Sequence, residues 1–263
     1  MLSRLRELIN QRRNRDTLYS TEAYWDAKAD IYQDKAVSMW ANNVLNDHYE
    51  REQKALINRY LDNIDGLKLL DVGCGTGRFS RWFASKGGQV TGVDFSSGAL
   101  SIAKQQSPSG NPTYRHGSIF ELTDENTYDV VFTWAVLTMA CRNKAGLLDA
   151  LTRLKRSLRS NGRLLLTEPI HRGFLHRVLN LDLPSFLAVM QEAGFEIKAI
   201  TPLHFWPMRL VLAYIPWPAW ITTPLYHLGQ AAMKIPGLSK LGDYWAVLAY
   251  PIEPLSNPPS NKR

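Results

Sequence analysis

The run Leu69-Leu70-Asp71-Val72-Gly73-Cys74-Gly75-Thr76-Gly77-Arg78-Phe79 constrains the fold more than any other part of this chain. An apolar strand enters three glycines at alternate positions, and a helical pattern follows at once. Without side chains at Gly73, Gly75 and Gly77, the backbone turns tightly and approaches a ligand closely. The amino terminus of the following helix presents N–H groups to electron-rich atoms. A second apolar stretch, Gln89 to Val93, ends on Asp94. A carboxylate at such a strand tip is placed to accept hydrogen bonds from both hydroxyls of a ribose. The dinucleotide fingerprint G-x-G-x-x-G needs a wider gap, whereas here the third glycine falls two residues after the second.

From Leu67 onward short apolar runs alternate with helical stretches. The predicted strands are Lys68 to Val72, Gln89 to Val93, Thr113 to His116, Asp129 to Thr133, Arg163 to Thr167, Phe195 to Thr201 and Tyr244 to Tyr250. Several are apolar almost throughout, as strands covered on both faces must be. Alternation of strand and helix implies right-handed crossovers and a mainly parallel, doubly wound α/β sheet with ligands at the carboxyl ends of its strands. A helical cap is expected over residues 1–61, the main domain over 62–251, and a disordered Pro-, Ser- and Asn-rich tail over 252–263.

The glycine run with Asp94 after the second strand resembles the class I S-adenosylmethionine-dependent methyltransferases, in particular the branch acting on small molecules and quinones. The likeness extends over roughly Leu67 to Ile200. It implies a Rossmann-like sheet of seven strands with the last antiparallel, and S-adenosylmethionine as cofactor. It also implies site residues, position by position. Gly73, Gly75 and Gly77 border the methionine end, Asp71 orients that end, and Asp94 holds the ribose. Phe95 lies near the adenine, Ser118 and Ile119 meet its edge, and Trp134 contacts the cofactor after the fourth strand. Many relatives carry Asp or Asn where Ser118 stands.

Methyl transfer needs mainly alignment and exclusion of water. A general base helps when the acceptor is a hydroxyl or a protonated amine. The candidates after the fifth strand are Glu168, His171 and His176, with His171 first because a histidine near neutral pKa can take a phenolic proton. His116, at a strand end, is weaker. No metal is expected: the fourth strand ends Phe132-Thr133-Trp134 without a carboxylate, and Glu168 alone makes no oxygen cage.

Charge and aromatic content bear on the acceptor. The chain carries 31 Lys and Arg against 24 Asp and Glu, a formal charge of +7. Five arginines fall within residues 1–15, where Leu2, Leu5, Leu8 and Ile9 share one helical face. Such a helix suits an anionic membrane surface or packing against the domain. Residues 204–237 hold no Lys, Arg, Asp or Glu between Arg209 and Lys234, and prolines at 216, 218 and 224 interrupt them. That segment, within an apolar insertion over 202–243, suits a membrane interface, a lid over a small aromatic substrate, or a dimer interface. The expected acceptor is a lipophilic or aromatic small molecule methylated on oxygen. A lipid-linked sugar or phosphate is a second enzyme reading, and a noncatalytic cofactor-binding scaffold a third. No nucleic acid is expected as partner, and the oligomeric state is left open. Two cysteines and no signal-peptide pattern read as a cytoplasmic chain, peripheral on the inner membrane face if the membrane reading holds.

Overall fold

The computed structural model describes residues 14–33 and 40–252. Three helices lead: α1 (Arg15–Leu18), α2 (Glu22–Tyr32) and α3 (Asn43–Tyr60). There follow β1 (Lys68–Val72), α4 (Arg78–Ala84), β2 (Gln89–Asp94), α5 (Ser97–Gln105), β3 (Thr113–His116) and β4 (Tyr128–Trp134). The chain continues through α6 (Leu137–Ala140), α7 (Lys144–Ser157), β5 (Leu158–Glu168), α8 (Leu183–Glu192) and β6 (Phe195–Phe205). Two helices, α9 (Trp206–Leu212) and α10 (Ala219–Ala232), lead into β7 (Gly242–Pro251).

The seven strands form one sheet in the order β3-β2-β1-β4-β5-β7-β6. β1 to β5 pair in parallel, and β7 inserts antiparallel between β5 and β6. Alternate residues of the central strands feed opposite faces, as the strand period requires. Leu69, Val130, Phe132 and Leu165 pack with Ile57 of α3, Leu61 just after it, and Phe79 and Phe83 of α4. Leu70, Val131, Leu164 and Leu166 pack on the other face with Leu147, Leu151, Leu154 and Phe186 of α7 and α8. Two filled faces explain why these strands read as unbroken apolar runs.

β1 and β3 have the expected bounds, and the longest departures lie at β5 and β6. β5 starts at Leu158, which pairs with Tyr128 before a register shift. β6 runs on to Phe205 because β7 pairs with it as far as Phe205 and Gly242. The first residues of the expected insertion are therefore strand, and α9 and α10 form its helical part. The basic stretch of residues 1–15 and the tail 252–263 lie almost wholly outside the described residues.

Two contacts set the leading helices over the carboxyl edge of the sheet. On α2, Asp26 Oδ1 accepts from Ser96 Oγ at 2.5 Å and Gly98 N at 2.9 Å, and Glu22 Oε1 accepts from Ser97 N at 2.9 Å. These acidic side chains cap the amino terminus of α5, where anionic groups are favoured. At the start of α3, Asn42 caps its own helix through Leu45 N and donates to Leu212 O and Thr222 Oγ1. One buried amide thus ties α3 to α9 and α10. Among the described residues no helix is long and apolar enough to cross a membrane.

Candidate active site

β1 and β2 lie side by side in register, Val72 beside Val93, so their tips and following loops meet. Gly73 and Cys74 both donate to Val93 O, at 2.7 and 3.1 Å. Asp94 accepts from Gly75 N at 2.7 Å and from Ser96 N at 2.9 Å. Gly73 has a φ of 72°, and a Cβ there would stand 2.2 Å from Val136 Cγ2, so only glycine fits between this loop and the turn after β4.

The loops enclose a cavity of about 350 Å³, within the range of small-molecule sites, roughly 300–1,000 Å³. Asp71, Gly73, Gly75, Asp94, Phe95, Ser118, Ile119 and Trp134 all line it. Gly77 does not. It takes the left-handed position before α4, at φ 81°, with its α-carbon against Tyr114. The Ser118 hydroxyl caps the short turn Ile119–Glu121 while its backbone N–H donates to Glu121. Asp71 is buried and accepts from Ser80 Oγ at 2.5 Å. Burial, and secondarily the nearby Asp94, push its carboxyl up to about 7 against the Ser80 bond. Burial raises Asp94 as well, against its backbone donors.

The base candidates take other positions. Glu168 is fully buried and outside the cavity lining. Its Oε1 accepts from Val136 N and Leu137 N at 2.9 and 3.0 Å, and its Oε2 from Thr138 N and Thr138 Oγ1 at 3.0 and 2.8 Å. Four donors use up the carboxylate, so Glu168 braces the turn after β4 instead of facing substrate. That turn passes through Ala135 at φ 56°, whose N–H donates to Thr167 O at 2.8 Å. His171 is also away from the cavity: its Nε2 lies 2.9 Å from Asp243 O and 3.4 Å from Asp243 Oδ1. Asp243 in turn pairs with Arg209 Nε at 2.8 Å. His176 packs against Arg15, and His116 contacts Phe95 O at 3.0 Å on the outside. Among the described residues no His, Lys or Glu lines the cavity.

Beyond the sheet edge the cavity is completed by residues the sequence reading missed. Asn46, Tyr49 and Gln53 of α3 line it, and their spacing of three and four puts them on one helical face. Trp40 and Tyr244 join them, and Tyr19 and Trp25 of the leading helices close it over the loop after β2. Trp134 stacks on Tyr244 at 5.8 Å.

Strand order, glycine loop and paired acidic tips define the class I methyltransferase fold. Residues 70–166 match a family profile described as a methyltransferase domain. The mitochondrial ubiquinone biosynthesis O-methyltransferase of Schizosaccharomyces pombe is 36% identical over 49% of this chain and 47% of its own length. A demethylmenaquinone methyltransferase of Staphylococcus aureus is 29% identical over 46% and 51%. These matches span about half of each relative. Magnesium protoporphyrin IX methyltransferase from Synechocystis, with S-adenosylmethionine bound, shares the fold at a TM-score of 0.53, with 16% identity over 80% and 83% of the two chains. So does the cyclase SpnF, at 0.56, with 19% identity over 77% and 81%. Residues 70–166 thus match a methyltransferase domain, and the chain carries the class I methyltransferase fold.

The residues present fit S-adenosylmethionine. Two buried carboxylates at adjacent strand tips offer countercharge to a cationic methionine end and acceptors to ribose hydroxyls. Gly73 and Gly75 add bare backbone to the cavity wall beside Asp71.

Two outcomes follow. Glu168→Ala, which strands four buried donors, should lower unfolding stability by about 3–5 kcal/mol in denaturant melts; a catalytic base would instead be lost without a change in melting. The second concerns pH. With its folded pKa near 7 against an ordinary 3.8, Asp71 binds its proton more tightly in the folded state. Its ionisation therefore costs stability above pH 7, a cost that fades as pH falls from 7 toward 4. Asp71→Asn should flatten the difference in melting temperature between pH 8 and pH 5.5. An unchanged difference would place the titration elsewhere.

Proposed function

We propose that this chain transfers the methyl group of S-adenosylmethionine to an oxygen of a lipophilic or aromatic small molecule. The observation carrying this reading is the joining, in one cavity, of the Asp71 and Asp94 carboxylates with an aromatic chamber built from α3, Trp134 and Tyr244. The bound cofactor supplies an activated methyl on a cationic sulfur. Asp71 faces the methionine end, Asp94 the ribose, and Phe95 and Ile119 the adenine. Tyr19 and Trp25 keep water from the reacting centre. The printed names of the relatives, ubiquinone and menaquinone methyltransferases, support a quinone-type acceptor for this chain.

The same reading places the protein peripherally on a membrane. Val211, Tyr214, Ile215, Trp220, Leu228 and Ile235 are exposed on or beside α9 and α10, Trp220 to 77%. No charged residue falls between Arg209 and Lys234. Aromatic and aliphatic side chains without charge suit the headgroup boundary of a bilayer. The inner face of the same helices packs Leu212, Ala213 and Tyr226 on Leu45 and Tyr49, so only one residue layer separates that surface from the cavity.

Incubation with labelled S-adenosylmethionine and a lipid extract tests the reaction. The expected result is S-adenosylhomocysteine formed in step with a labelled, solvent-extractable product. Cofactor binding without turnover on any lipid or quinone fraction would favour the scaffold reading. In the same preparation, vesicles with anionic lipid should sediment the protein, and Trp220→Asp with Leu228→Asp should release it. Equal sedimentation of the variant would move the contact to another surface.

A further inference from the structure

Little apolar surface holds α2 over the cavity. Among the described residues of this helix only Ala29 is buried, packed on Ala99 and Ile102 of α5. Its grip is polar instead. Asp26 Oδ1 accepts from Ser96 Oγ and Gly98 N, and Glu22 Oε1 from Ser97 N, so two carboxylates one helical turn apart hold the entry to α5. The approach is close: a Cβ on Gly98 would stand 2.9 Å from Asp26 Oδ1 and 3.1 Å from Asp26 Cβ. Trp25 rides on α2 and donates from Nε1 to Tyr19 O at 2.9 Å, so the two rings that close the cavity move with the helix.

This clasp meets the cofactor loops at Ser96, which is wholly buried and lines the cavity. A hydroxyl has one proton, and that of Ser96 goes to Asp26, while its oxygen accepts from Ala99 N at 3.0 Å as the cap of α5. Its backbone N–H points the other way, to Asp94 Oδ1 at 2.9 Å. One residue thus joins a carboxylate of α2 to the carboxylate at the tip of β2. When α2 withdraws, the Ser96 proton is stranded in the interior, where an unpaired donor is costly. Each carboxylate therefore gains from the Ser96 geometry that the other maintains.

We propose that Asp26, acting through Ser96, couples the seating of α2 to the engagement of ribose hydroxyls by Asp94, so that the cofactor latches its own cover. This rests on the methyltransferase reading and adds how the cofactor is retained and exchanged. Asp26 does not line the cavity and is a positioning residue. Ribose hydroxyls donating to Asp94 fix its carboxylate against Gly75 N and Ser96 N. Ser96 then keeps its hydroxyl on Asp26, and α2 stays down with Trp25. Without ribose that bracing is gone, and α2 opens first, as elements with few buried apolar contacts do. The coupling is reciprocal: ribose steadies α2 by the same factor by which seated α2 tightens ribose.

The test compares S-adenosylhomocysteine with its 2′,3′-dideoxy analogue, which offers Asp94 no hydroxyl, on the full chain and two variants. Asp26→Ala removes the acceptor, and Gly98→Ala puts a methyl group where Asp26 lies. Alanine suits both helices, so the fold is retained. Affinity is read by calorimetry, and the seating of α2 by hydrogen exchange of its amides. In wild type, S-adenosylhomocysteine should slow α2 exchange at least tenfold and the analogue less than threefold. Each variant should bind S-adenosylhomocysteine at least tenfold more weakly and the analogue less than threefold more weakly. The ligand-dependent protection of α2 should vanish, with the melting temperature of the free protein close to wild type. A cover that merely sits on the cofactor, or a general loosening, would weaken both ligands alike. That outcome, equal α2 protection by the two ligands, or variants that bind both as wild type does would overturn the inference and leave the cofactor reading standing. Wild type that fails to bind S-adenosylhomocysteine would instead bring down the methyltransferase reading and the inference with it.

Discussion

The carboxylate of Asp94 accepts from Gly75 N at 2.7 Å and from Ser96 N at 2.9 Å, holding the loops after β1 and β2 in one fixed relation. Charge-assisted bonds of this kind are about twice as strong as neutral ones, and a donor stranded in the interior is costly. Everything at the cofactor end depends on this junction. It sets the glycine loop at the distance at which Gly73 meets Val136, and it lets Asp26 of α2 reach the start of α5 at Ser96 and Gly98. The leading helices that close the cavity are therefore anchored to the same loop that Asp94 organises.

Glu168 does the corresponding work on the other wall. Four donors from Val136, Leu137 and Thr138 converge on it, and the chain reaches them through the left-handed turn at Ala135. A strained residue persists where its surroundings over-determine it. The outcome is a rigid exit from β4 that presents Trp134 to the cavity and Val136 to Gly73. Glu168, spent on its four donors, and Asp94, which keeps acceptor capacity toward the cavity, thus shape a chamber whose own lining is mostly apolar.

The cofactor half of this site was legible because it is local. Asp71 to Phe79 are contiguous, Asp94 stands at a strand tip, and parallel pairing of adjacent strands brings the two together without further information. The acceptor half was not, since Tyr49, Gln53, Trp134 and Tyr244 come from α3, β4 and β7 and meet only through the tertiary fold. The spacing of Asn46, Tyr49 and Gln53 on one helical face was the available signal. Glu168 and His171 misled for a physical reason: an acidic residue at the carboxyl end of a strand reads alike whether it faces a ligand or a folded-back helix amino terminus. Long-range hydrogen bonds decide between them, and residue type does not. The ends of β5 and β6 were misjudged similarly, because antiparallel pairing with β7 extends β6 through Pro202 and Leu203 to Phe205.

The central claim is that paired strand-tip carboxylates make this cavity a S-adenosylmethionine site, and calorimetric titration of wild type and Asp94→Asn tests it most directly. The account predicts saturable binding by wild type and at least a tenfold loss in the variant, about 1.4 kcal/mol, with the variant still folded. A folded wild type that releases no heat of binding, or a variant that binds as tightly as wild type, would contradict it.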